Sequence, residues 1–219
     1  MHNVKLISSS LPDEVKLVAV SKFHPAETIM RVYDAGQRVF GESRVQELMA
    51  KQPVLPEDID WHFIGSLQTN KVKHIAPFIS MIQSMDSLKL IQEVDRQAEK
   101  HNRKIRILIE VHIAEEESKH GFSYEECKIL FTDGIINQFT NLHVCGLMGM
   151  ATFTNDTEQL KREFGKLRIL FDEIKSMPAT DKSIFTELSM GMSDDYLTAI
   201  EEGSTMVRIG TAIFGTREY

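Results

Sequence analysis

Only two cysteines occur in the 219 residues, Cys127 and Cys145. One falls in a helical pattern and the other in an apolar strand pattern, without CxxC pairing or metal-ligand spacing, so both read as buried thiols. No apolar run approaches the ~18 to 20 residues of a membrane span. Met1 to Glu14 lack the basic start, apolar stretch and small-residue cleavage site of a secretory signal. The expectation is a protein that does not span a membrane and resides in the cytoplasm. Positive charge is also scarce. Lys and Arg number 25 against 32 Asp and Glu, a net charge of −7 that opposes general attraction to nucleic acid. The one basic cluster, Lys71-Val72-Lys73-His74, reads first as the solvated face of a helix and second as a polyanion contact. A GxGxxG turn, an internal linker and low-complexity sequence are missing too.

What the chain does contain is an alternation of short β-branched runs with longer segments of helical spacing. The strand candidates are Lys16 to Lys22, Val39 to Gly41, Asp60 to Ile64, Met81 to Ser84, Ile105 to His112, Leu142 to Met150, Ile184 to Ser189 and Thr205 to Ile209. Helical spacing is clearest over Pro25 to Ala35, Ser87 to His101, Ser123 to Ile136, Glu158 to Ser176 and Asp194 to Glu202. Pro25 suits a first helical turn, Gly36 and Gly203 suit helix ends, and Ser193 or Asp194 suits a cap for the helix that follows. Eight β/α units in one domain predict an α/β fold, a (β/α)8 TIM barrel over residues 1–219, with 1–15 as a short N-terminal extension. An open doubly wound sheet is the alternative. It requires a glycine-rich dinucleotide turn after an early strand, where this chain has Ser21-Lys22-Phe23-His24-Pro25.

In such a barrel the functional residues lie at the carboxyl ends of the strands. The first strand ends at Lys22, which alternation places on the face of Val18 and Val20, in the barrel mouth. Partial desolvation there lowers an amine's pKa and favours condensation with an aldehyde, whereas a lysine that merely extends to solvent has no such role. The last two strands run into Ser189-Met190-Gly191-Met192-Ser193 and Arg208-Ile209-Gly210-Thr211. These are the loops in which barrels seat a phosphate, and Ser189, Gly210 and Thr211 suit that need, although ordinary turns use the same residues. An amine and a phosphate seat at one mouth suggest a phosphorylated aldehyde, of which pyridoxal 5′-phosphate is the usual one. His62 and His112 read as packing residues before acid or base, and Met148, Met150, Met190 and Met192 as adaptable packing.

Five stretches carry a more specific signal: Val20-Ser21-Lys22, Phe40-Gly41-Glu42-Ser43-Arg44-Val45-Gln46-Glu47, Trp61 through Lys71, Leu188 through Ser193, and Arg208 through Gly215. In order and spacing they resemble the pyridoxal phosphate homeostasis family, also called YggS/PROSC, which looks like the N-terminal barrel of alanine racemase without its β-domain. The resemblance implies Lys22 as the Schiff-base lysine, and Ser189, Gly210 and Thr211 as phosphate ligands with Met190 and Gly191 lining that loop. It also implies Arg208 as the partner of the pyridine nitrogen. An arginine there gives up no proton, which weakens the ring as an electron sink. The resemblance further implies a protein that holds the cofactor and supplies it to apo-enzymes, and without a β-domain to build the racemase-type dimer a monomer is expected. The alternative is an amino-acid racemase, which needs a second acid/base such as the tyrosine of the missing domain. Ser43 and His112 replace asparagines usual in the family. Lys119, in Ser118-Lys119-His120-Gly121-Phe122, is either a second phosphate contact or a solvated loop residue.

Overall fold

The computed structural model describes residues 2–115 and 120–215. Eight parallel strands close into a barrel in sequence order, β1 pairing with β8. They are β1 Lys16–Val20, β2 Val39–Glu42, β3 Asp60–Phe63, β4 Met81–Met85, β5 Ile105–His112, β6 Leu142–Met150, β7 Glu187–Met192 and β8 Met206–Ile209. The helices among the described residues are α1 His2–Ser10, α2 Ala26–Asp34, α3 Val45–Lys51, α4 Thr69–Ile75, α5 Leu88–Lys100, α6 Tyr124–Thr132, α7 Thr157–Ser176, α8 Tyr196–Glu201 and α9 Thr211–Phe214. None is long and apolar enough to cross a membrane.

Each strand buries both faces, so two apolar cores form. The larger lies between sheet and helices and includes Phe40, Phe63, Ile107, Phe164, Leu188 and Met190. The smaller plugs the barrel interior with Val18, Met81, Leu108, Cys145, Met148 and Met206. Above this plug the inward positions turn polar, because the next inward residues are Gln83, Glu110, Ser189 and Arg208. The barrel is therefore a packed layer with a polar mouth. Both cysteines are buried, and desolvation pushes the thiol pKa to about 12 for Cys127 and about 11 for Cys145.

Several sequence boundaries need correction. The seventh strand is not Ile184 to Ser189 but Glu187–Met192. Residues 181–185 form a turn instead: Ser183 donates to Asp181 Oδ1 from both N–H and O–H, and Phe185 wedges between Phe131 and Phe171. The first strand stops at Val20, because His24 N–H bonds Ser21 O and Phe23 takes φ +69°. The helical segment Ser123 to Ile136 breaks after Thr132, where Gly134 is left-handed and a 3-10 turn follows. The cap of α8 is Asp195, not Ser193 or Asp194. The N-terminal extension contains α1, whose Val4 is buried in the main core. Lys71 to His74 lie on α4, with Val72 and Ile75 buried and Lys73 exposed, as the solvated-face reading expects.

Candidate functional site

At the carboxyl ends of the strands lies a cavity of about 470 Å³. Lys22 lines it from the turn after β1. That turn is strapped from three sides. Ser21 donates its hydroxyl to Glu42 Oε1 at 2.6 Å, Lys51 Nζ donates to Ser21 O at 3.0 Å, and Phe23 N–H donates to Glu47 Oε2 at 2.8 Å. Lys51 also bonds Glu42 at 2.7 Å and Glu47 at 3.1 Å, the latter as neighbours one helical turn apart. Burial raises the Glu42 pKa, and the Lys51 ammonium opposes the rise. The turn's far end is held by His24 stacked on Phe214 at 4.7 Å. A non-glycine residue at φ +69° is costly, and these bonds hold Phe23 there.

Arg208 forms the inner wall. Nη1 donates to Ser189 O at 2.9 Å and Ser189 Oγ at 2.6 Å, and Nη2 donates to Gly149 O at 3.0 Å. A guanidinium has five donors, so beyond these three bonds it retains donors for whatever fills the cavity. Burial lowers its pKa to about 10, with Asp195 and Glu110 opposing the fall, so it stays a cation at neutral pH.

The candidate anion seat is formed by Ser193, Gly210 and Thr211, which all line the cavity. Gly210 N–H donates to Ser193 Oγ at 3.3 Å, tying the seventh-strand loop to the eighth. A Cβ at 210 would lie 3.2 Å from Val20 O, so glycine lets the loop sit close against β1. The first amides of α9 have no acceptor within their own helix. Asp195 Oδ1 accepts Met192 N–H at 2.5 Å and thereby shapes the same loop.

Glu110 lines the cavity at 5 % exposure. Its pKa is pushed up to about 7 by burial and then by the nearby Asp86 carboxylate, against Arg208 and His120. Ser43, Gly65, Ser66 and His120 complete the polar rim, and Phe153 is an exposed apolar edge. Among the described residues no group of histidine, cysteine or carboxylate side chains could hold a metal ion.

The structure thus brings together Lys22, Arg208, Gly210 and Thr211, but it does not bring Ser189, Met190 and Gly191 to the cavity lining. Ser189 is fully buried below Arg208, with its hydroxyl bonded to Gln83 and Arg208. Met190 points into the outer core. Gly191, at φ +93°, packs beneath α8, where a Cβ would lie 2.6 Å from Ala199 Cβ. Met192, Ser193 and Asp194 line the mouth in their place. The cause is the observed run of β7, three residues later than expected, with a register shift between Ser189 and Met192. Ser43 lines the cavity. His62 is buried and bonded to Gln83, a packing histidine as read. Ser118 and Lys119 lie outside the described residues. Glu110, Gln83 and Ser193 carry no motif of their own; the available signal is one acid in β5 and one amide in β4, each flanked by apolar residues on at least one side.

Comparison with known proteins adds an independent line. The family model "Alanine racemase, N-terminal domain" matches residues 1–218. A pyridoxal phosphate homeostasis protein of Aquifex aeolicus is 42% identical over 205 residues, covering 93% of this chain and 88% of its own. Its human namesake is 38% identical over 217 residues, covering 93% and 77%. PipY of Synechococcus elongatus superposes with TM-score 0.91 without pyridoxal phosphate and 0.87 with it bound, at 35% and 34% identity, each over 98% of this chain and 99% of that one. Alanine racemase from E. faecalis, at 14% identity and TM-score 0.74 over 57% of its length, shares the fold. The chain belongs to the alanine racemase N-terminal domain family and, within it, to the pyridoxal phosphate homeostasis proteins.

Proposed function

We propose that this protein binds pyridoxal 5′-phosphate in the barrel mouth as a Schiff base on Lys22, and that it keeps the cofactor in reserve for apo-enzymes rather than using it in catalysis. The observation that carries this reading is one cavity of about 470 Å³ lined by an amine, a guanidinium and a seat of hydroxyl and amide groups. That donor set fits a compact ring bearing an aldehyde, a basic nitrogen and a phosphate. The name shared by the relatives, and the pyridoxal phosphate bound in PipY, support the same ligand.

The residues act as follows. Lys22, strapped by Glu42, Glu47 and Lys51, presents its amine to the aldehyde carbon. Ser193, Gly210 and Thr211 hold the phosphate with hydroxyls and amides. Arg208 directs a donor at the ring nitrogen and, with its pKa near 10, keeps its own proton at neutral pH. When bound, the cofactor supplies an electrophilic carbonyl and an electron-withdrawing ring, and an unprotonated ring nitrogen makes that withdrawal weak. This disposition favours holding and releasing the aldehyde over carbanion chemistry.

The test is spectroscopic. The loaded protein should absorb in the visible, and borohydride should fix the cofactor covalently. A Lys22→Ala variant that keeps both the band and the covalent link overturns the assignment. Adding an apo-enzyme acceptor should discharge the band. Conversion of L- to D-amino acids at saturating cofactor, abolished in Lys22→Ala, would show a racemase instead.

A further inference from the structure

Beneath the mouth a chain of polar side chains crosses the apolar plug. Ser189 donates its hydroxyl to Gln83 Oε1 at 2.7 Å, and Gln83 Nε2 donates to His62 Nδ1 at 2.9 Å. His62 Nε2 then faces Asp60 Oδ1 at 3.5 Å, and Asp60 is bound by Arg106 at 2.7 and 2.8 Å. Gln83 and Ser189 are wholly buried, and His62 is 2 % exposed. Such a column costs desolvation unless every member is satisfied. A leucine at 83 would extend the plug of Val18, Met81 and Leu108 but would leave His62 Nδ1 and the Ser189 hydroxyl proton without these partners.

The donor sense of the links explains what the column does. Among the described residues His62 Nε2 makes no hydrogen bond, but the Asp60 carboxylate 3.5 Å away favours the tautomer with the proton on Nε2, in which Nδ1 is an acceptor. That acceptor fixes the Gln83 amide, nitrogen toward His62 and oxygen toward Ser189. Ser189 must then send its proton to Gln83, so its lone pairs face Arg208 Nη1 at 2.6 Å. With the amide reversed, the Ser189 proton would turn toward Arg208, donor against donor. The orientation of one buried amide therefore decides whether the Arg208 guanidinium meets an acceptor.

We propose that Gln83 is a positioning residue for Arg208, holding the guanidinium through Ser189 at the height and tilt that meet the ring nitrogen of bound pyridoxal phosphate. This rests on the function proposed above, and Gln83 itself never touches the ligand. The column keeps Arg208 aimed before the ligand arrives, so no reorientation accompanies binding.

The full-length protein is titrated with pyridoxal phosphate while its visible band and the melting temperature of the unloaded form are recorded. Gln83→Met keeps volume and removes the bonds to Ser189 and His62, together with the amide's contact to Met206 Sδ at 3.2 Å; it should weaken binding about tenfold, the effect of losing one well-aimed polar contact, and shift the band. Gln83→Glu, which in its neutral form keeps an acceptor for Ser189 and a donor for His62, should restore both. A folded Gln83→Met with wild-type affinity and band overturns the proposal, as does a loss in all variants that simply follows their melting temperatures. If Gln83→Met does not fold, Ser189→Ala decides by the same two readouts. A wild-type protein that fails to load sinks the proposed function itself, whereas a loaded wild type with unmoved variants sinks only the role of Gln83.

Discussion

The carboxylate of Glu47 accepts the backbone N–H of Phe23 at 2.8 Å, so helix α3 fixes the turn that bears Lys22. The same carboxylate holds Lys51, which reaches on to Ser21 O and Glu42. A lysine at a strand end becomes a directed amine because the backbone on both of its sides is tied to one buried ion-pair cluster.

That cluster gives the first prediction. Lys51→Met leaves the Glu42 carboxylate, with no exposed side-chain surface, without its cation. At about pH 8 the variant should lose about 3–5 kcal/mol in a urea melt, the usual cost of breaking one partner from a buried pair. Burial already raises the Glu42 pKa, so the carboxyl protonates readily as pH falls. The deficit should therefore shrink in melts at about pH 5, and a deficit that does not change with pH would show that charge is not its cause.

Glu110 gives the second. Its pKa in the fold is about 7 against an ordinary 4.5. Between those values the folded chain binds the proton that the unfolded chain has released, so this group's contribution is full below about pH 4.5 and is lost as pH rises through about 7. Glu110→Gln should remove that slope. Its stability relative to wild type should rise across this window by up to about 3 kcal/mol and level off above it. Parallel stability curves for the two proteins would refute the account.

Ser193 separates phosphate recognition from ring recognition. Ser193→Ala should weaken pyridoxal phosphate about tenfold, by loss of one hydroxyl contact to an anion. It should leave binding of pyridoxal, which lacks the phosphate, unchanged. Equilibrium dialysis of both ligands distinguishes this from a general loosening of the loop, which would weaken both equally.

Gly191 tests the packing under that loop. At φ +93°, with an added Cβ 2.6 Å from Ala199 Cβ and 2.9 Å from Tyr196 Cα, Gly191→Ala should cost about 2–4 kcal/mol in a denaturant melt. A variant within experimental error of wild type would mean that α8 shifts freely.

Much of the site was legible because strand ends are legible. Lys22, Arg208, Gly210 and Thr211 each stand at or just past the end of a β-branched run, and a barrel sends those positions to one mouth. The choice between Ser189 and Ser193 was not legible. Both flank Met190-Gly191-Met192, and local pattern allows the strand to end at either. The observed β7 continues to Met192, which sends Ser189 down to Arg208 and leaves Ser193 at the rim.

By itself the sequence determined the alternation of strands and helices, the closed parallel fold that such an alternation favours, and the family motifs around Lys22 and Arg208. These are local properties, carried by periodicity of two and of 3.6 residues and by turn chemistry. The tertiary structure decided which buried polar groups meet: Ser189 with Gln83, 106 residues apart, Lys51 with Ser21, 30 apart, and Phe23 with Glu47, 24 apart. Those pairings depend on the register between strands and on the height of each side chain in the closed barrel, and a one-residue slip sends a side chain to the opposite face.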